Sequence, residues 1–226
     1  MSFAVQRFQH HVELIDDFSR RICRRLEEAV HERGEAFLVV SGGSTPLLLF
    51  KRLAQQVLPW PKITILLADE RWVPATDAAS NEKMVREQLL QGQAAAANFV
   101  SLLTDDDDAF AGEAAVQQRL ADLPTFDVVI LGMGEDGHTA SLFPDSPQLA
   151  IGMTTTLPAL AVTTPSQPQQ RLSLSKQRLL DSRQIYFHLV GANKAATLER
   201  AQQQNLPVND FLQQQQTPVT VMLAEQ

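Results

Sequence analysis

The residues best placed to do chemistry in this chain of 226 amino acids lie in Gly132-Met133-Gly134-Glu135-Asp136-Gly137-His138-Thr139-Ala140-Ser141-Leu142-Phe143-Pro144. The run directly follows a strand-like apolar stretch, Val128-Val129-Ile130-Leu131. Glycines at a strand end let the backbone turn sharply and approach a ligand closely. A histidine held there can move a proton near neutral pH; a lone histidine is more often structural, and the glycine-rich context and neighbouring Asp136 raise the weight of the catalytic use. A second glycine loop, Ser41-Gly42-Gly43-Ser44-Thr45-Pro46, also follows an apolar run. Its small residues expose backbone N–H groups, Ser44 and Thr45 add hydroxyls, and the helix expected next presents a positive end, so a phosphate would suit it. A plain strand-to-helix turn is the alternative. Two such loops at two strand ends suggest a single ligand site between them.

Further candidates flank other strands. Asp69, Glu70 and Arg71 follow a buried strand at the end where open α/β sheets bind ligands. A surface ion pair is the alternative for Glu70 and Arg71. Arg171 and Lys194 can supply cations to a phosphate, although each alone also reads as a surface charge. The pattern Gly132-x-Gly134-x-x-Gly137 formally fits a dinucleotide fingerprint, but Pro144 and Pro147 cut short the helix that the fingerprint requires, and no strand follows promptly. The Ser41 loop lacks the Gly-Lys-Ser/Thr ending of a Walker A motif. No metal is expected, because His10, His11, His31 and His188 show no zinc-ligand spacing to His138.

The elements that must position these residues alternate. Helical spacing of Leu14, Ile15, Phe18, Ile22, Leu26 and Val30 predicts a helix from about Val12 to Glu32, stopped by Gly34. Strands are predicted at Ala36–Val40, Ile63–Ala68, Asn98–Leu102, Phe126–Leu131, Ala159–Thr163, Arg171–Leu174, Ile185–Val190 and Pro218–Leu223. Pro46, capped by Ser44 or Thr45, should start a helix reaching about Val57. Further helices are expected after the Ser80-Asn81 cap, over Ala109–Ala121, and from Gly191 to about Gln203. The acidic run Asp105–Asp108 reads as a solvated loop and helix start. Gln202–Gln204 and Gln213–Gln216 read as solvated helix surface. The alternation predicts an α/β fold with a doubly wound, mainly parallel sheet covered by helices on both faces. With no repeat and no long linker, a single domain over residues 1–226 is expected.

Composition narrows the partners. Apolar residues make up 44% and charged residues 20%, ordinary for a globular protein. A formal charge of −7 disfavours nonspecific binding to nucleic acid or anionic membrane, while a few local cations would still admit an anionic substrate. One cysteine, Cys23, leaves no internal disulfide framework and reads as a small core filler. No signal peptide and no run of membrane-spanning length is visible, so a cytoplasmic protein is expected.

Taken together, the motifs Ser41–Pro46, Asp69-Glu70-Arg71-Trp72-Val73-Pro74, Ser80-Asn81-x-x-Met84 and Gly132–Pro144 resemble those of the 6-phosphogluconolactonase family, in order and spacing across nearly the whole chain. The resemblance implies a fold shared with glucosamine-6-phosphate deaminase and a metal-free, cofactor-free lactonase of the oxidative pentose phosphate pathway. Its substrate would be 6-phospho-D-glucono-1,5-lactone, with no nucleic-acid or membrane partner, in a monomer or weak homo-oligomer. On that reading His138 is the base and Asp69 orients the site. Gly42, Gly43, Ser44 and Thr45 hold the phosphate with Arg171 and Lys194, and Arg71, Gly134 and Asp136 complete the substrate contacts. Related chains usually carry a lysine and several prolines where this one has Ser166-Gln167-Pro168-Gln169-Gln170. A glucosamine-6-phosphate deaminase-type isomerase shares the phosphate loop and the Gly-x-Gly-x-Asp-Gly-His run. It carries Met-Asp-Glu-Tyr where this chain has Ala68-Asp69-Glu70-Arg71, and Asn-Glu-Pro near Leu142-Phe143-Pro144. A non-catalytic sugar-phosphate sensor on the same fold is a third reading, disfavoured by the intact His138.

Overall fold

The computed structural model describes residues 3–225. Its chain order begins with β1 (Phe3–Phe8), α1 (His11–Arg33), β2 (Ala36–Val40), α2 (Leu47–Ala54), β3 (Ile63–Leu67), β4 (Asp69–Arg71), α3 (Asn81–Gln88), β5 (Asn98–Val100) and α4 (Ala109–Ala121). It continues with β6 (Val128–Leu131), α5 (Leu149–Thr154), β7 (Ala159–Thr164), β8 (Gln167–Leu174), α6 (Lys176–Leu180), β9 (Ile185–Val190), α7 (Ala192–Gln204), α8 (Pro207–Gln213) and β10 (Val219–Ala224).

Seven strands form one sheet in the order β1-β10-β9-β6-β2-β3-β5, with every pairing parallel. Every residue of β2 and β6 is buried, as expected for strands covered on both faces. Side chains of β9 alternate between the two layers. Tyr186 and His188 meet Phe18 of α1, whereas Phe187 meets Phe211 of α8 on the opposite face. The expected apolar stripe of α1 is the stripe that packs: Leu14, Ile15, Phe18, Ile22 and Leu26 are all buried. The chain is therefore doubly wound. From β2 it crosses to β3 on one side, and after β6 it returns to β9 on the other. The crevice between β2 and β6 is the place where such a sheet accepts a ligand.

The late strands depart from expectation. β7 and β8 do not join the parallel sheet. They form an antiparallel three-stranded sheet with β4, in the order β4-β8-β7. Ala68 joins the two sheets, donating its N–H to Val40 and accepting from Leu174. The short elements β1, β4, α5, α6 and α8 had no counterpart in the periodicity. Of the glutamine run, Gln213 is the exposed last residue of α8, and Gln214–Gln216 lie beyond the helix. Gln214 Oε1 accepts from the backbone of Gln216 and Thr217, and its Nε2 donates to the Phe211 and Thr217 carbonyls, closing the turn that leads to β10. Asp108 caps α4 by accepting from the N–H groups of Phe110 and Ala111. Cys23 is half-buried against the core, and burial pushes its thiol up to about 11.

Candidate active site

Both glycine loops leave adjacent strands at the switch point, and Ser41 Oγ ties them by donating to the Ile130 carbonyl at 3.0 Å. They border one cavity of about 380 Å³, whose wall also includes Asp69, Arg71, Arg171 and Lys194. The structure thus brings together the histidine, the phosphate-type loop and all three candidate cations.

The loop after β2 is free for a ligand in a way its sequence did not suggest. Neither Ser44 nor Thr45 caps α2. Pro46 is the residue before the first helical turn and no side chain caps it. Gly43 adopts φ of 96°, a conformation a side chain would strain. Gly43 and Ser44 are exposed, so the hydroxyls and N–H groups of this loop are not consumed by the helix.

His138 is set by three contacts. Its Nδ1 lies 2.6 Å from Asp136 Oδ1. An ionised carboxylate only accepts, so Nδ1 carries the hydrogen, and in the neutral ring Nε2 keeps its lone pair. Burial pushes the Asp136 carboxyl up, but the hydrogen bond and charge of His138 outweigh it and hold the group below its ordinary value. The imidazole lies over Phe143, ring centroids 4.2 Å apart, which gives it an apolar wall. Gly134 supplies the third constraint. A Cβ there would fall 2.2 Å from His138 Nδ1, so only glycine lets the ring sit where it does. Ala140, which follows Thr139, has φ of 48°, an uncommon value for a residue with a Cβ. The turn delivers Ser141 Oγ to Asp69 Oδ2 at 2.6 Å.

Asp69 is accordingly engaged. It accepts from Ser141 and faces Arg171, Nη1 at 3.5 Å, with both side chains buried. Arg71 and Arg171 stand directly opposite one another in the β4·β8 register. Like charges in that position repel, and Asp69 beside Arg171 opposes the repulsion. Burial pulls the Arg171 guanidinium below its ordinary value, Asp69 pulls it back up, and Arg71 adds to the lowering. An anion placed between the two guanidiniums would relieve both effects. Lys194, in the first turn of α7, faces the same space. With three cations against one carboxylate, the cavity is a positive focus in a chain of net charge −7.

Glu70 is not the surface half of an ion pair with Arg71. It is fully buried and accepts from Ser80 Oγ and from the N–H groups of Arg71, Asn81 and Glu82. Burial pushes its carboxyl up, against those four hydrogen bonds. Arg71 turns instead to the Ala79 carbonyl, at 2.6 Å. Asn81, Phe143 and Gln167 also line the cavity and were not among the site candidates. Asn81 stood out as a helix cap and as part of the Ser80-Asn81-x-x-Met84 motif, and Phe143 as part of a motif, neither as a site residue. Gln167 is the first residue of β8. Among the described residues no group of three or more His, Cys, Asp or Glu side chains is arranged to hold a metal ion, and no helix is long and apolar enough to cross a membrane.

This fold and site define a class of sugar-phosphate proteins. The model of the family described as glucosamine-6-phosphate isomerases/6-phosphogluconolactonase matches residues 9–222, and the chain belongs to that family. Within it, a 6-phosphogluconolactonase of Pseudomonas putida is 41% identical over 197 residues, covering 84% of this chain and 81% of the relative. One from Caulobacter vibrioides is 39% identical and covers 98% of this chain and 97% of its own length. The crystal structure of a 6-phosphogluconolactonase from Shewanella baltica superposes with a TM-score of 0.96 at 42% identity, covering 99% of this chain and 98% of that one.

Proposed function

We infer that this chain is a 6-phosphogluconolactonase that hydrolyses 6-phospho-D-glucono-1,5-lactone to 6-phospho-D-gluconate in the oxidative pentose phosphate pathway. The observation that carries the reading is the sharing of one cavity by the Asp136-oriented His138 and an anion-suited loop with three cations. The lactonase relatives, matched over nearly their whole length, support it.

In the proposed mechanism Gly42, Gly43, Ser44 and Thr45 hold the phosphate through N–H and hydroxyl donors, and Arg171 and Lys194 neutralise it. Arg71 contributes field and contact from the opposite strand. Asp69 is a positioning residue, holding Arg171 through their ion pair. Anchored at its phosphate, the substrate presents its lactone carbon to the imidazole. His138 Nε2 takes a proton from water as the water oxygen bonds to C1. The tetrahedral species collapses with cleavage of C1–O5, and the imidazolium returns the proton to O5. Asp136 holds the ring and stabilises its charged form between the two steps, and Gly134 leaves room for it. No metal or organic cofactor is assigned a step. The chain acts as a single domain in the cytoplasm, with the sugar-phosphate lactone as its partner, as a monomer or weak homo-oligomer.

The test is direct. Purified protein is mixed with freshly generated lactone, and acid release is followed at constant pH with the uncatalysed rate subtracted. Rapid release with 6-phosphogluconate as product is expected. No acceleration over the blank would overturn the reading, and ammonia release from glucosamine 6-phosphate would replace it with deamination.

A further inference from the structure

The mechanism leaves Asn81 unused, although it borders the cavity and is buried. Its Nδ2 donates to the Asp69 carbonyl at 2.9 Å. A carbonyl oxygen only accepts, so this bond fixes which way round the amide lies. Oδ1 is thereby turned toward Gly42, where a built Cβ would fall 1.9 Å from it. Among the described residues none donates a hydrogen bond to Oδ1, which leaves an oriented acceptor at the foot of the phosphate-type loop. Phosphate oxygens are acceptors too, so Oδ1 is unsuited to them. A hydroxyl is the complementary group.

The acceptor is also held still. Asn81 opens α3, and the N–H groups of Asn81 and Glu82 both end on the buried Glu70 carboxylate, at 2.7 and 2.6 Å. Ser80 Oγ and the Arg71 N–H complete it. With four donors on its two oxygens, Glu70 has no capacity left for a substrate. It pins the start of α3 to the strand that carries Asp69 and Arg71.

We propose that Asn81 is a specificity-determining residue, accepting a hydrogen bond from a ring hydroxyl of the sugar lactone, and that Glu70 is the positioning residue that aims it. The proposal rests on the lactonase reading. A site built around a hydroxyl discriminates against an analogue lacking it, because the buried acceptor is then left unpaired.

The experiment measures kcat/KM for 6-phosphogluconolactone and its 2-, 3- and 4-deoxy analogues with wild type, Asn81→Ala, Asn81→Asp and Glu70→Gln. Wild type should lose about tenfold or more on one analogue. Asn81→Ala should be slower on the parent and indifferent to that deletion. Asn81→Asp keeps the acceptor and should keep the discrimination, at lower absolute rates. Glu70→Gln puts a donor among donors, so it should weaken the discrimination while inhibition by inorganic phosphate stays within about twofold. Should Asn81→Ala not fold, Asn81→Leu carries the same expectation. Equal discrimination in wild type and Asn81→Ala would overturn the proposal, as would a loss of phosphate inhibition matching the loss of discrimination. Absence of wild-type turnover on the parent lactone would instead sink the lactonase reading and the proposal with it.

Discussion

Gly134→Ala is the sharpest steric probe of the proposed base. The new methyl would lie 2.2 Å from His138 Nδ1 and 2.4 Å from Asp136 Oδ1, inside the hydrogen bond that orients the ring. Ordinary contact begins at 3.4 Å, so the imidazole must withdraw by about 1 Å. The backbone has no reason to object, because Gly134 is not among the residues with positive φ. Its N–H still reaches the His138 carbonyl at 2.8 Å. A reacting group misplaced by about 1 Å costs on the order of 100-fold, and loss of the Asp136 contact adds to it. We therefore expect kcat to fall by about 10²-fold or more, with the thermal midpoint within about 3 °C of wild type. Steady-state lactonase kinetics alongside a thermal melt reads both numbers. A folded Gly134→Ala protein retaining more than half of wild-type kcat would refute the claim that the precise seat of the imidazole matters.

Lys194→Ala should raise KM more than it lowers kcat, because a phosphate remote from C1 is bound similarly in ground and transition states. Steady-state kinetics checks this, and unchanged parameters for both Lys194→Ala and Arg171→Ala would make them ordinary charges. His188 concerns stability. It is buried with His11 at 3.2 Å, and burial first, then the neighbouring imidazole, lowers its pKa to about 3. Burial lowers His11 as well. The unfolded chain therefore binds a proton at His188 near pH 6.5 that the folded chain refuses, so stability falls as pH drops below that value, by about 2 kcal/mol at pH 5. Urea unfolding at pH 7 and pH 5 should show this slope in wild type and a shallower one in His188→Leu; equal slopes would contradict it. Cys23, with its thiol pushed up to about 11, should react slowly with alkylating reagents at pH 8, and a rate like that of a free thiol would count against its burial.

Long elements with uninterrupted patterns were legible in the sequence, because burial on both faces of a sheet or along one helical stripe leaves an unmistakable signature. β2, α4 and β9 begin and end where residue type predicts. β4 was not legible. Asp-Glu-Arg is no strand by composition, and it becomes one only because β8, a distant segment, pairs with it. The opposition of Arg71 and Arg171 follows from the same pairing, so no local reading could find it. Glu70 misled for a related reason. A glutamate reads as exposed unless donors are known to converge on it, and three of its four donors come from the start of α3. α8 could have been found, since Val208, Phe211 and Leu212 are spaced as a helical face behind Pro207. At the site, the two glycine loops and His138 were visible because glycine is chemically distinctive. Asn81 and Phe143 are of ordinary residue types, and only the fold brings them to the cavity wall.

The most direct measurement is the turnover of His138→Ala on 6-phosphogluconolactone, with the spontaneous rate subtracted and binding of 6-phosphogluconate measured on the same preparation. With His138 as the base, kcat falls by about 10²–10⁴-fold while product affinity stays within about twofold, because the proposed phosphate contacts are untouched. A folded His138→Ala protein that keeps more than half of wild-type kcat would contradict the account.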